Sequence, residues 1–154
     1  MSQGVLGVIS TPKALYFALV EDGAVLDTSP QKVEVPDHLQ SPASLDALAT
    51  EMRRQLAPIR VPSAAILVPN EYGGAVKATT ARVGAETVFR MVMNVMGVQV
   101  DLLNRKRARS LMGLSQKGLL DDLVKELLPA AVGKYWSEGR RLAAFAAMAA
   151  DKGA

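Results

Sequence analysis

Val5-Leu6-Gly7-Val8-Ile9-Ser10-Thr11-Pro12, followed directly by the apolar run Ala14 to Val20, is the stretch whose reading decides the fold. The first run is short, rich in β-branched residues and closed by Ser-Thr-Pro, which predicts a strand and then a turn. The second contains Tyr16 and Phe17 and stops at Glu21-Asp22-Gly23. Asp-Gly between apolar runs is a hairpin signal, because a tight two-residue turn needs positive φ at both central positions. Ala24-Val25-Leu26 or Lys32 to Val35 supplies further strand material. The chain therefore opens with an antiparallel meander of three strands.

Beyond the meander the hydrophobic period changes. Pro36 to Ser44 is a polar loop leading into a helix that carries Leu45, Leu48, Met52 and Leu56 at helical spacing, closed by Pro58 and Pro62. Ala64-Ala65-Ile66-Leu67-Val68 has no polar alternation, the pattern of a parallel strand covered on both faces. Pro69 to Gly74 is the loop after it. A long helix fits Ala75 to Met96, with Gly97 where a C-cap is wanted, and Val98 to Leu103 is another strand. Asn104 caps a short basic helix reaching Met112, Gly113 breaks it, and Gln116 to Leu128 is amphipathic before Pro129. The last helix, about Ser137 to Ala150, is rich in alanine, which lets a helix backbone lie close to a sheet. The expectation is an α/β fold with a five-stranded mixed sheet, three antiparallel strands then two parallel, flanked by helices. No linker divides the chain, so residues 1–154 are expected to form one domain.

Composition excludes more than it selects. At 49% hydrophobic and 21% charged residues, the 154-residue chain is expected to be globular and not disordered. With 0 cysteines there is no disulfide scaffold, thiolate catalysis or cysteine-based metal site, and 1 histidine, His38, leaves little material for histidine chemistry. His38 sits in the polar loop and is expected at the surface. No basic n-region precedes the first apolar stretch and no apolar run approaches the roughly 20 residues of a membrane span. A cytoplasmic location with no membrane contact is the expectation. Charge is asymmetric: two bases against seven acids through Glu51 give −5, and the remainder carries +8, for a total of +3. That distribution points to a polyanionic partner.

Three leading strands followed by alternating helix and strand is the ribonuclease H-like order, and the chain resembles the RuvC-type Holliday junction resolvases over nearly its whole length. Leu6-Gly7-Val8-Ile9-Ser10-Thr11 lies where that family shows LGIDPG. Lys77-Ala78-Thr79-Thr80-Ala81-Arg82-Val83-Gly84 is similar to its K…ARG segment. Val98 to Gly113 is similar to the family's Gly-Val-x-Val strand, polar residue and basic stretch ending in Gly. The resemblance implies a ribonuclease H-like fold, a DNA substrate and a homodimer.

It also implies an activity whose residues differ here. Active resolvases need four carboxylates to hold two divalent cations, usually Mg²⁺, through oxygen ligands. Ile9 stands where the first-strand Asp belongs, Leu67 or Val68 at the Glu position, and Arg140 at an aspartate of the last helix, where a cation opposes metal binding. Glu71 and Glu138 are the acids near enough in sequence to substitute. No catalytic residue, metal ligand or cofactor is assigned, and the chain is read as a catalytically degenerate relative.

The remaining functional feature is Arg105-Lys106-Arg107-Ala108-Arg109, joined by Lys117, with no acid between Asp101 and Asp121. On a helix Arg105 and Arg109 share a face, which would let two guanidiniums grip adjacent phosphates. Lys77 and Arg82 are expected on the same side. The bland reading of such a run is a solvated helix face. Aromatic residues, at 5%, argue against a single-strand reader built on base stacking. Gly73-Gly74 lacks the neighbours of a phosphate loop and is expected to be a turn. Met91, Met93 and Met96 are expected to fill core, with an adaptable interface as the sharper reading, and Trp136 is expected to anchor the last helix. Three functions remain open: a non-catalytic module binding structured nucleic acid, DNA before RNA, through the basic segment; a protein-interaction or homo-oligomerisation module; and a divergent metal nuclease using Glu71, Glu138 and Asp151.

Overall fold

The apolar stretches that open the sequence pair with one another. In the computed structural model, which describes residues 4–27, 30–36, 39, 41–68 and 76–153 (76–79 by backbone alone), β1 (Val5–Ser10) runs antiparallel to β2 (Ala14–Glu21) with Val8 opposite Phe17. Asp22 and Gly23, at φ 55° and 75°, turn the chain into β3 (Ala24–Leu26). Positive φ at both positions is the requirement that made Asp-Gly a hairpin signal. Both candidates for the third strand are used: β3 pairs with Leu19–Glu21 of β2, and β4 (Lys32–Glu34) pairs with Ala14–Tyr16. Six strands thus fill five positions, because β2 is long enough to seat two short edge strands end to end.

The helix α1 (Pro42–Leu56) begins two residues before the expected loop ends. Ser41 caps it by accepting from the Ser44 amide at 3.1 Å, and proline at the first helical position needs no amide partner. After it, β5 (Ser63–Val68) runs parallel to β1, α2 (Val76–Val95) returns across the sheet, and β6 (Gln99–Asn104) runs parallel to β5. The sheet order is β3-β2-β1-β5-β6. Then come α3 (Arg105–Leu111), α4 (Leu120–Leu127), a π-helical turn at Trp136–Arg140 and α5 (Arg141–Gly153).

Two of these differ from expectation. The helix expected from Gln116 starts only at Leu120, because the Gln116 side chain donates from Nε2 back to Lys106 O and Ser110 Oγ, each at 3.2 Å. The last helix is broken at its start: a Cβ on Gly139 would stand 2.5 Å from the Tyr16 ring, and the chain kinks there before α5 begins.

Strand alternation divides the core between the two faces of the sheet. Leu6, Val8, Leu15, Phe17, Ala64 and Ile66 point to α1 and α2, where they meet Met52, Phe89 and Met93. Val5, Ile9, Val20, Ala65 and Leu67 point to α3, α4 and α5. On that second face Ala143, Ala144, Ala146 and Ala147 are fully buried, as the alanine-rich sequence predicts. The contact is so close that a Cβ on Gly7 of β1 would lie 1.7 Å from the Ala143 carbonyl oxygen. Trp136 is buried in the same cluster and anchors the start of the last helix. Of the methionines, Met93 is core, Met96 packs partly on it, and Met91 is exposed. No helix among the described residues is long and apolar enough to cross a membrane. His38 and the loop Pro69–Gly74, with Glu71 and Gly73-Gly74, lie outside the described residues.

Candidate nucleic-acid interface

The basic segment is set in place by its capping residue. Asn104 ends β6 in extended conformation and its Oδ1 accepts from the Arg107 amide at 2.7 Å, the reason the strand passes into α3 without a loop. Ala108 is buried beneath, so the helix presents Lys106 and Arg107 to solvent with Arg105 half-buried beside them. None of these three, nor Lys117, has an ion pair among the described residues.

Arg109 has a different job. Its Nη1 donates to Ser115 O at 2.9 Å and Lys117 O at 3.4 Å, and its Nη2 to Gly118 O at 2.9 Å. The loop between α3 and α4 leaves carbonyls that no helix satisfies, and the planar guanidinium fork can reach three of them. The expected twin clamp of Arg105 and Arg109 is therefore divided. Arg109 braces the loop and brings Lys117 alongside α3, while Arg105, Lys106 and Arg107 have no ion pair among the described residues.

Lys77 and Arg82 stand apart from this group. Both belong to α2, which covers the opposite face of the sheet from α3. The side chain of Lys77 lies outside the described residues. Arg82 lies level with the C-terminal end of β1, where its carbonyl accepts from Ser10 Oγ at 3.3 Å. Its Nη1 pairs with Glu86 Oε1 at 2.9 Å, and both side chains are largely buried. Burial pushes the Glu86 carboxyl above its ordinary value, and the attraction of Arg82 and Arg90 only partly offsets this. Arg82 is thus carried by the helix on the other face of the sheet from α3, although both helices begin at the C-terminal end of the parallel strands.

The positions at which the resemblance implies metal ligands hold other chemistry. Ile9 and Leu67 are buried in the apolar cluster beneath α5. Arg140 has 0% exposure and is turned toward β2: its Nε donates to Phe17 O at 2.7 Å and its Nη1 to Lys134 O at 3.1 Å and to Val132 O. Desolvation lowers its pKa, with Asp27 opposing the shift. The expected cation at an aspartate position is present, but its guanidinium holds protein carbonyls. Glu138 precedes α5 and Asp151 lies near its far end. At about 1.5 Å per residue, the ten-residue rise of α5 alone separates them by roughly 15 Å, too far to share an ion. Among the described residues no group of three or more His, Cys, Asp or Glu could hold a metal ion. A hard divalent cation needs several oxygen ligands converging on one point, and these residues do not fit it.

Two further surfaces stand out. Along α2, Met91 and Val95 are 63% and 67% exposed, next to the edge strand β6 with its half-exposed Leu102. At the other edge, Tyr135 is 36% exposed beside Lys32, a residue about a hundred positions away in the chain.

This arrangement of three antiparallel and two parallel strand positions between two helical layers is a ribonuclease H-like fold. No family model matches the chain, and no curated protein does. Among solved structures it is similar to the RuvC of Thermus thermophilus in complex with a Holliday junction substrate, with a TM-score of 0.67 and 14% identity over 96% of this chain and 91% of that one. A structure of Thermus thermophilus RuvC has a TM-score of 0.65 and 15% identity over 95% of this chain and 92% of that one. The fold is that of the RuvC Holliday junction resolvases.

Proposed function

We propose that this chain is a single ribonuclease H-like domain that binds structured DNA without cleaving it. The observation that carries the reading is the unpaired group Arg105, Lys106, Arg107 and Lys117, gathered on α3 and its following loop and free of acidic partners among the described residues. Such a group neutralises phosphates without reading bases, so binding is sequence-independent and steeply salt-dependent. The fold supports the choice of DNA over RNA, since one of its structural neighbours is described in complex with a Holliday junction. Catalytic degeneracy is supported by Ile9, Leu67 and Arg140, each of which is occupied in packing or in holding backbone.

Fluorescence anisotropy of labelled four-way junction, duplex, single-stranded DNA and RNA tests this at low and moderate salt. The expected result is salt-steep binding that prefers the junction or duplex, is abolished by Arg105→Glu with Arg107→Glu, and leaves the DNA uncut with Mg²⁺ or Mn²⁺. Absence of binding at low salt would overturn it, and metal-dependent cleavage would overturn the degenerate reading.

A second reading has its own observation. The sheet ends at β6, whose outer side is unpaired among the described residues, and Met91 and Val95 flank it above a groove of about 600 Å³. An open strand edge beside exposed apolar residues suits a second copy of the chain. A homodimer through this face is compatible with DNA binding on α3. An interaction module alone would keep the dimer and lose nothing on charge reversal at Arg105 and Arg107.

A further inference from the structure

We propose that Tyr135 is a stacking platform for one unpaired nucleobase, at the edge of the sheet opposite β6. The inference rests on the nucleic-acid reading and deepens it, because it adds contact with an unpaired base to contact with phosphates.

Tyr135 is held in a left-handed backbone conformation, φ 60° and ψ 25°, which non-glycine residues rarely adopt. Here the surrounding chain fixes it. Arg140, fully buried, donates its backbone amide to Tyr135 O at 3.2 Å and its guanidinium to the carbonyls of Val132 and Lys134. From the other side, Gln31 Oε1 accepts from the Lys134 amide at 3.0 Å, and Gln31 Nε2 is itself fixed by Asp27 at 2.6 Å. The ring leans on buried Tyr16, with centroids 6.2 Å apart and planes tilted by 54°. The result is an aromatic ring that is rigid yet more than one-third exposed.

Its neighbours supply the chemistry that a nucleotide needs. Lys32 Nζ lies over the Tyr135 ring, 5.0 Å from its centroid, and must swing off that face for a base to take its place; Lys134 is exposed next to it. A groove of about 350 Å³ beside the ring is lined by Gln31, Lys32, Glu34, Gln55 and Lys134. A base stacks on a π-face whatever its identity, while lysines beside it meet the phosphates. Glu34, which is 3.6 Å from Lys32, offers an acceptor to base edges, while the Gln31 and Gln55 side-chain amides are held by Asp27 and Glu51 and shape the groove. Aromatic scarcity argues against a reader with many stacked bases, but one fixed ring is enough for one base.

The test is titration of a short oligothymidine carrying one 2-aminopurine, at low salt, with wild type, Tyr135→Ala, Tyr135→Phe and the Arg105→Glu, Arg107→Glu double variant. Wild type and Tyr135→Phe are expected to quench the 2-aminopurine. Tyr135→Ala is expected to bind the strand about tenfold more weakly, the loss of one stacked base, without quenching it, and to bind fully paired duplex as wild type does. If Tyr135→Ala fails to fold, Lys32→Gln serves instead, with several-fold weaker strand binding and a salt slope lower by about one charge. Quenching and affinity that are unchanged in Tyr135→Ala, or in Lys32→Gln where that stands in, would overturn the platform alone. No binding of any nucleic acid by wild type would overturn both the platform and the reading beneath it.

Discussion

At single residues, the constraints are steric and polar. Gly7 sits under the Ala143 carbonyl, and a methyl group there would overlap it at 1.7 Å. Backbone on backbone cannot give way as a flexible side chain would, so α5 must lift from the sheet. Gly7→Ala should cost about 3 kcal/mol, at the upper end for overpacking, read as a lower urea midpoint. Arg140 is the complementary case. Its guanidinium satisfies carbonyls of Phe17, Val132 and Lys134 while its own Nη2 has no partner among the described residues. Arg140→Met keeps the volume and relieves the buried charge but strands those acceptors, and we expect a loss of about 2 kcal/mol in denaturant unfolding. Neither residue announces this in sequence. Gly7 fits a glycine-containing strand motif, and Arg140 looks like one more surface cation until the segment 132–134 closes over it.

At the scale of elements, local pattern was a good guide where the cause was local. The Asp22-Gly23 turn, the apolar spacing of α1, the unbroken run of β5 and the Asn104 cap each depend on neighbours within a few residues. Pattern failed where a remote contact set the boundary. Gln116 reaches back to α3 and removes a turn from the expected helix, and the Tyr16 ring under Gly139 kinks the start of the last one. The α2 pair of Arg82 and Glu86 yields a pH prediction. Because burial raises the folded pKa of Glu86 above its ordinary 4.5, the protonated form is favoured by folding. That contribution is fully present below the unfolded pKa and is lost as pH rises through the raised folded value. Glu86→Gln, which stays neutral, should therefore gain stability relative to wild type as pH climbs through the range above 4.5. A difference between the two in thermal unfolding that does not change with pH would contradict this.

For the molecule as a whole, the expected class of fold agrees with the structure, and of the basic segment Lys106, Arg107 and Lys117 are exposed. Of the remaining cations, Arg82 is paired with Glu86 on α2, which covers the opposite face of the sheet from α3. The exposed stripe on α2 carries the assembly prediction. Met91→Lys with Val95→Lys should convert a dimer to a monomer in sedimentation experiments while leaving the stability of the monomer within about 0.5 kcal/mol, since neither side chain is core. A species of unchanged mass would remove that face as an interface between copies. The sequence by itself determined the meander, the alternation of helix and strand and the basic run after β6, because hydrophobic period, turn chemistry and charge order are properties of neighbouring residues. Only the tertiary structure decided which cations are free and which are committed. It decided too that a glycine carries a helix and that Tyr135 stands rigid at the surface, because each depends on groups brought together from distant parts of the chain.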